Sequence, residues 1–209
     1  MEETNFNNRF EAPYNEKLLA DNYLKEHDYE KSLKHYAKAL LAVKVLSSDK
    51  EIKPDKLQSY MLEVYVPSSL NVSFIHYKNR EYDKTILYCN NVLEIQNKNT
   101  KALYRKAMSL IKLGNLEESK EIILKLDDLI GNTNELSFLK ESYENEKKEL
   151  IDKRAKFFSK AVNGYLKSNE IEFQETLGFF DKSRIYITTF LKNIYNLVFC
   201  KKRIISKLK

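Results

Sequence analysis

Glycine and proline are scarce in this 209-residue chain, at 4 and 3, and tryptophan is absent. No run of alternating apolar residues lies between turn dipeptides, so sheets are excluded and an all-α chain is expected. The two cysteines, Cys89 and Cys200, are far apart, and there is neither Cys-x-x-Cys spacing nor a secretory signal pattern. That argues against a disulfide scaffold and for a reducing compartment, with a cytoplasmic location as the default. The three histidines, His27, His35 and His76, are scattered over different helices without a cysteine or carboxylate at ligand spacing. Neither a metal site nor a nucleophile and base pair can be assembled from them, and no glycine-rich phosphate loop is present. The chain is therefore read as a non-enzyme without cofactor.

Charge excludes a second class. The net charge is +6, but Lys201, Lys202, Arg203, Lys207 and Lys209 supply five positives without an acid in the last nine residues, leaving about +1 for the rest. A body this nearly neutral lacks the basic face that binding to nucleic acid requires. Ile185 to Phe199 is apolar for 15 residues and interrupted by Lys192, Asn193 and Asn196. A spanning helix needs about 20 mostly apolar residues. The basic, aromatic tail could instead lie on an anionic membrane surface or pack as a helix on the rest of the chain.

What is present is a repeat. Shifted by about 34 residues, the chain matches itself. Ser73, Tyr82, Thr85 and Cys89 fall on Ala107, Leu116, Ser119 and Ile123, and Ala20, Tyr23, Tyr29, Ser32, Tyr36 and Ala39 run in the same order near the start. Small residues sit where two helices approach closely, and aromatics fill the gap between pairs. This order resembles the tetratricopeptide repeat (TPR), a helix-turn-helix unit, and implies three such repeats in a right-handed superhelical stack. Extra chain from Leu41 to Leu70 lengthens the second helix of repeat one and the first helix of repeat two, with the turn at Asp49 to Pro54.

The expected organisation is a flexible lead-in over residues 1–13, three repeats over 14–130, a capping helix over 131–163 and a basic aromatic tail over 164–209. Gly131-Asn132-Thr133-Asn134 reads as a helix stop followed by an N-cap. A seventh helix then carries Leu136, Leu139, Tyr143, Leu150, Ala155 and Phe158 at helical spacing, as a cap over the last repeat requires. The basic stretch Lys153 to Lys167 also has the character of a calmodulin-binding helix, although capping is the simpler role.

Five polar residues, Lys17, Asp21, Asn71, Lys101 and Arg105, fall on the first helices of the three repeats, which line the concave face of such a stack. Lys17 and Asp21 are four apart, as are Lys101 and Arg105, so each pair shares one side of its helix. Three cations and an amide facing one groove suit a ligand bearing two adjacent carboxylates.

With these residues, and with the segment NTKALYRKAMSLIKLGNLEESK, the chain resembles the carboxylate-clamp TPR domains of chaperone cofactors, especially the TPR half of the large immunophilins. The resemblance covers roughly residues 14–163. It implies a co-chaperone that grips the Glu-Glu-Val-Asp C-terminus of heat-shock protein 90 or 70 through Lys17, Asn71, Lys101 and Arg105. Asp21 stands where that family has Asn, placing a carboxylate beside the ligand's own. Desolvated, it would cost about 1 to 3 kcal/mol of binding, and little if Lys17 neutralises it. The family's prolyl isomerase domain has no counterpart in this sequence, so isomerase activity is not implied.

Overall fold

The computed structural model describes residues 2–168. Eight α-helices and one π-helical turn follow one another without a strand among the described residues: α1 (Glu2–Lys25), α2 (Tyr29–Ser47), α3 (Pro54–Tyr60), the π turn (Met61–Tyr65), α4 (Val66–Lys78), α5 (Tyr82–Ile95), α6 (Thr100–Lys112), α7 (Leu116–Ile130) and α8 (Asn134–Ser168). The α3, π and α4 segments form one unbroken rod, because Tyr60, Met61, Tyr65 and Val66 all keep right-handed helical angles. Its middle is marked by a bond from the Val66 amide to the Met61 carbonyl, five residues back. The rods therefore number seven: α1 with α2, the long rod with α5, and α6 with α7 form three pairs, and α8 follows. This is the TPR architecture that the small-residue register implied.

Two of the three pairs close by a shared local device. In repeat one the Ser32 hydroxyl donates to the Ala20 carbonyl at 3.0 Å, and in repeat three the Ser119 hydroxyl donates to the Ala107 carbonyl at 3.2 Å, both between fully buried residues. A larger side chain at any of these four positions would push the paired backbones apart, which is why size is conserved along the chain's own repeats.

The turns within the pairs are copies of one another. The amides of Asp28, Glu81 and Asn115 each donate to a carbonyl five residues back, Tyr23, His76 and Leu110, all at 2.9 Å. The residue before each of them is left-handed: His27 and Arg80 with φ of 61°, and Gly114 with φ of 74°. Only the third turn uses the residue that adopts this conformation without steric cost.

Burial is distributed along the stack rather than gathered in one centre. Ala20, Tyr36, Val72 and Ile75 join repeats one and two, whereas Val66, Cys89, Val92 and Ala102 join repeats two and three. Leu136 and Leu139 on α8 are fully buried against Leu103, Ala107, Ile111, Ile123 and Leu126, so the start of α8 covers the apolar side of repeat three. Thr133 caps that helix, its hydroxyl accepting from the Leu136 amide. Residues 1–150 form one compact unit, and a second begins at Ile151, of which the helix as far as Ser168 is described.

Two differences from the sequence reading are local. Helix α1 begins at Glu2, not near Tyr14, and carries Pro13 buried within it. Proline removes one helical hydrogen bond but leaves the preceding turns free to continue. The insertion between repeats one and two also contains the π turn, which the helical spacing gave no reason to expect. No helix among the described residues is long and apolar enough to cross a membrane. The tail from Gly178 to Lys209 lies outside the described residues.

Candidate functional site

Helices α1, α4 and α6 are the first helices of the three pairs, and polar contacts run across them in sequence. On α1, Ala20 is buried against the partner helix, which leaves the next residue, Asp21, facing the groove side. Lys17, one turn earlier, places its Nζ 2.7 Å from Asp21 Oδ2, with both side chains about a quarter exposed. Asn71 on α4 donates through Nδ2 to Asp21 Oδ1 at 3.1 Å and contacts Tyr36 Oη at 2.7 Å. The Tyr36 hydroxyl itself donates to Asp21 Oδ1. Asp21 thus accepts from an ammonium, a phenol and an amide on three different helices.

Tyr36 was not singled out by sequence reasoning, which treated its position as an aromatic gap-filler. Its phenol is driven to a much higher pKa than usual, first by burial and then by the neighbouring Asp21 carboxylate. It therefore remains a donor throughout the physiological range. Cys89 and Ile123 stand at the equivalent positions of repeats two and three and bring no hydroxyl, so the contrast within the repeat was the available signal.

Arg105 on α6 turns toward α4. Its Nη1 donates to the Leu70 carbonyl at 2.6 Å and to Ser73 Oγ at 2.8 Å, while Ser73 Oγ donates to the same carbonyl at 2.8 Å. The guanidinium carbon lies 5.6 Å from the centre of the Phe74 ring, a cation-π distance. Burial disfavours the charged form, and the pKa of Arg105 is lowered from its ordinary value, though an arginine remains charged. Only part of the guanidinium fork is left for a ligand.

Lys101, one turn before Arg105, is exposed and makes no ion pair or hydrogen bond among the described residues. It sits in the first turn of α6, behind the Asn99 cap whose side chain accepts from the Ala102 amide. A cation at that end of a helix is disfavoured by the dipole by about 0.3–1 kcal/mol. Fold stability gives no reason for a lysine there. The structure thus brings Lys17, Asp21 and Asn71 together, fastens Arg105 to the backbone of α4, and leaves Lys101 open.

The histidines are less isolated than their spacing implied. His35 Nδ1 lies 2.7 Å from Glu16 Oε2 with its ring stacked on Tyr23, and His76 Nδ1 lies 2.5 Å from Glu81 Oε2 with its ring on Tyr88. Each pair ties two elements of a repeat. Among the described residues no group of three or more metal-ligating side chains is disposed around one point.

No family model matches this chain. Two curated proteins are similar to parts of it: the peptidyl-prolyl cis-trans isomerase FKBP42 of Arabidopsis thaliana, 28% identical over 114 residues, and the human zinc finger CCCH domain-containing protein 7A, 28% identical over 101 residues. These cover 54% and 48% of this chain but only 30% and 10% of those proteins, so the chain spans less than a third of either. Among solved structures it is similar to the C-terminal TPR-containing domain of a Plasmodium falciparum FK506-binding protein, with a TM-score of 0.60 and 24% identity over 70% of this chain and 93% of that one. It is also similar to the first TPR of Spaghetti (RPAP3), solved with the HSP90 peptide SRMEEVD, with a TM-score of 0.50 and 16% identity over 68% of this chain and 94% of that one. Residue register, helix pairing and these likenesses agree on the fold: helix pairs stacked as in TPR domains.

Proposed function

We propose that this chain is a protein-binding adaptor, a co-chaperone whose concave TPR groove captures the acidic Glu-Glu-Val-Asp-type C-terminus of heat-shock protein 90 or 70. The observation that carries this reading is Lys101, an exposed cation without a partner among the described residues, placed one turn from Arg105 on the groove-lining helix of repeat three. An acidic peptide supplies the counter-charge that none of the described residues gives Lys101. The immunophilin-type TPR domain among the similar structures supports the fold context, and the HSP90 peptide held by the Spaghetti TPR supports the ligand class.

The chemistry is recognition without catalysis. Lys101 offers a mobile ammonium with three donors, and the free part of the Arg105 fork offers a second, oriented one. Phe74 and Leu70, both partly buried beside Arg105, provide apolar surface for an aliphatic side chain such as the ligand's valine.

Calorimetric titration of the chain with a free-acid Glu-Glu-Val-Asp peptide tests the reading. Binding in the micromolar range is expected, with Lys101→Ala weakening it about tenfold, or ~1.4 kcal/mol. A control peptide with every carboxylate converted to an amide should not bind. Equal heats from the acidic and the neutral peptide would sink the proposal.

A further inference from the structure

The two ends of the groove are not electrically alike, and that difference limits what the groove can read. At the α1 and α4 end, Asp21 is an anion, and the three groups around it that could have served a ligand are already directed at it. Lys17 Nζ lies 2.7 Å from one carboxylate oxygen, while Asn71 Nδ2 and the Tyr36 hydroxyl converge on the other. A second carboxylate arriving there would meet a like charge and would have to pull Lys17 away from a partner already in contact. At the α6 end the opposite holds: Lys101 is exposed and unpaired among the described residues, and Arg105 has donors beyond the Nη1 used by Leu70 and Ser73.

We propose that the groove holds the C-terminal residue of its acidic ligand by one carboxylate only, at Lys101 and Arg105, with the Asp21 end closed to anions. This rests on the acidic-peptide reading above and sharpens it. A C-terminal aspartate presents two carboxylates, one on the main chain and one on the side chain, and the site accepts either without rewarding both. Ligands in which the terminal carboxylate is missing because the chain continues are then admitted along with true C-termini.

Four N-acetylated peptides of sequence Ser-Gln-Gln-Val-Asp or Ser-Gln-Gln-Val-Asn, each as free acid and as C-terminal amide, test this by calorimetry on the full chain. They are run beside the Glu-Glu-Val-Asp free acid. The aspartate free acid, the aspartate amide and the asparagine free acid should bind within about threefold of one another, and the asparagine amide, which has no carboxylate, at least about tenfold more weakly. In Asp21→Asn the doubly charged peptide should pull ahead of both singly charged ones, since an amide now stands where the competing anion stood.

A wild-type preference of tenfold or more for the doubly charged peptide overturns the inference and leaves the acidic-peptide reading standing. If Glu-Glu-Val-Asp binds and none of the four does, the terminal residue is not what is held, and the inference fails alone. If no acidic peptide binds at all, the underlying reading fails and the inference with it. The wild-type series decides the matter even where Asp21→Asn does not fold.

Discussion

Repeat one and repeat three share a backbone and differ in what they leave for a partner. Both close with a serine hydroxyl on a carbonyl twelve residues earlier, and both turn through a left-handed residue into an amide bonded five residues back. Yet repeat one consumes its own groove charge, with Lys17 against Asp21 and Tyr36 added from its second helix, whereas Lys101 in repeat three meets no counter-charge among the described residues. The same scaffold therefore carries a self-satisfied polar cluster at one end and an unsatisfied cation at the other. In a repeat protein the scaffold is set by small and apolar positions, and the groove residues are free to diverge from copy to copy.

The comparison breaks most severely at Arg105, the residue of repeat three that both fastens α6 to α4 and belongs to the proposed site. Arg105→Ala removes a charged donor from Leu70 and Ser73 and the guanidinium from Phe74, and should cost about 2–3 kcal/mol in urea unfolding. Lys101→Ala, by contrast, should leave the same unfolding curve within about 0.5 kcal/mol while lowering peptide affinity. Separate effects of these two neighbours would mark where support ends and recognition begins.

In repeat one the corresponding probe is Tyr36→Phe. It deletes the hydroxyl given to Asp21 while keeping the ring in the interface with Val72 and Ile75. The expected loss is about 1 kcal/mol, read by the same unfolding assay. A much larger loss would mean that the Tyr36 hydroxyl holds the whole Lys17, Asp21 and Asn71 cluster in place rather than adding one bond to it.

Exchanging the turns tests their equivalence. Gly114→Ala should destabilise by about 1 kcal/mol through the backbone alone, because a Cβ there would meet nothing within 4 Å. His27→Gly should stabilise by roughly 0.5 kcal/mol, relieving a left-handed residue in repeat one. Thermal unfolding of the two variants should move in opposite directions.

The smallest effect depends on pH. Asp28 and Glu81 occupy the same place in the first two turns, and their pKa values are lowered, chiefly by hydrogen bonds from Lys31 and Lys84, with His76 adding to the second. A depressed carboxylate contributes stability that is complete above its unfolded pKa, about 4.3 for Glu, and is lost as pH falls through the folded value. Asn115 in the third turn does not titrate. Glu81→Gln should therefore be less stable than wild type at neutral pH and indistinguishable from it near pH 3, as urea unfolding at the two pH values would read.

The fold was legible because close helix approach admits only small side chains, a constraint that acts at single positions and repeats at a fixed interval. Ala20, Ser32, Ser73, Thr85, Ala107 and Ser119 carry it in the sequence, and all six are fully buried. The groove was legible only in part. The four-residue spacing of Lys17 and Asp21 put them on one side of their helix, where they pair at 2.7 Å, since that placement depends on one helix alone. The engagement of Asp21 by Tyr36 and Asn71 depends on how three helices cross, as does the meeting of His35 with Glu16, and no local spacing encodes that. Residues 1–13 differ for a related reason: a proline reads as a boundary in the sequence, whereas Pro13 lies buried inside α1.

The π turn at Met61–Tyr65 carries a consequence of its own. One additional residue in a single turn rotates everything after it by about 100° relative to everything before it. Ahead of it, Tyr60 faces the N-terminal part of α1, its hydroxyl donating to the Phe10 carbonyl and its ring 5.3 Å from that of Tyr14. Behind it, Leu70, Asn71 and Ser73 face the groove helices. The turn therefore works as a phase adjuster: it lets the rod outgrow a standard repeat at one end while its other end keeps the rotational setting of an ordinary TPR helix, so that added length does not scramble the contacts of α4 with α1 and α6.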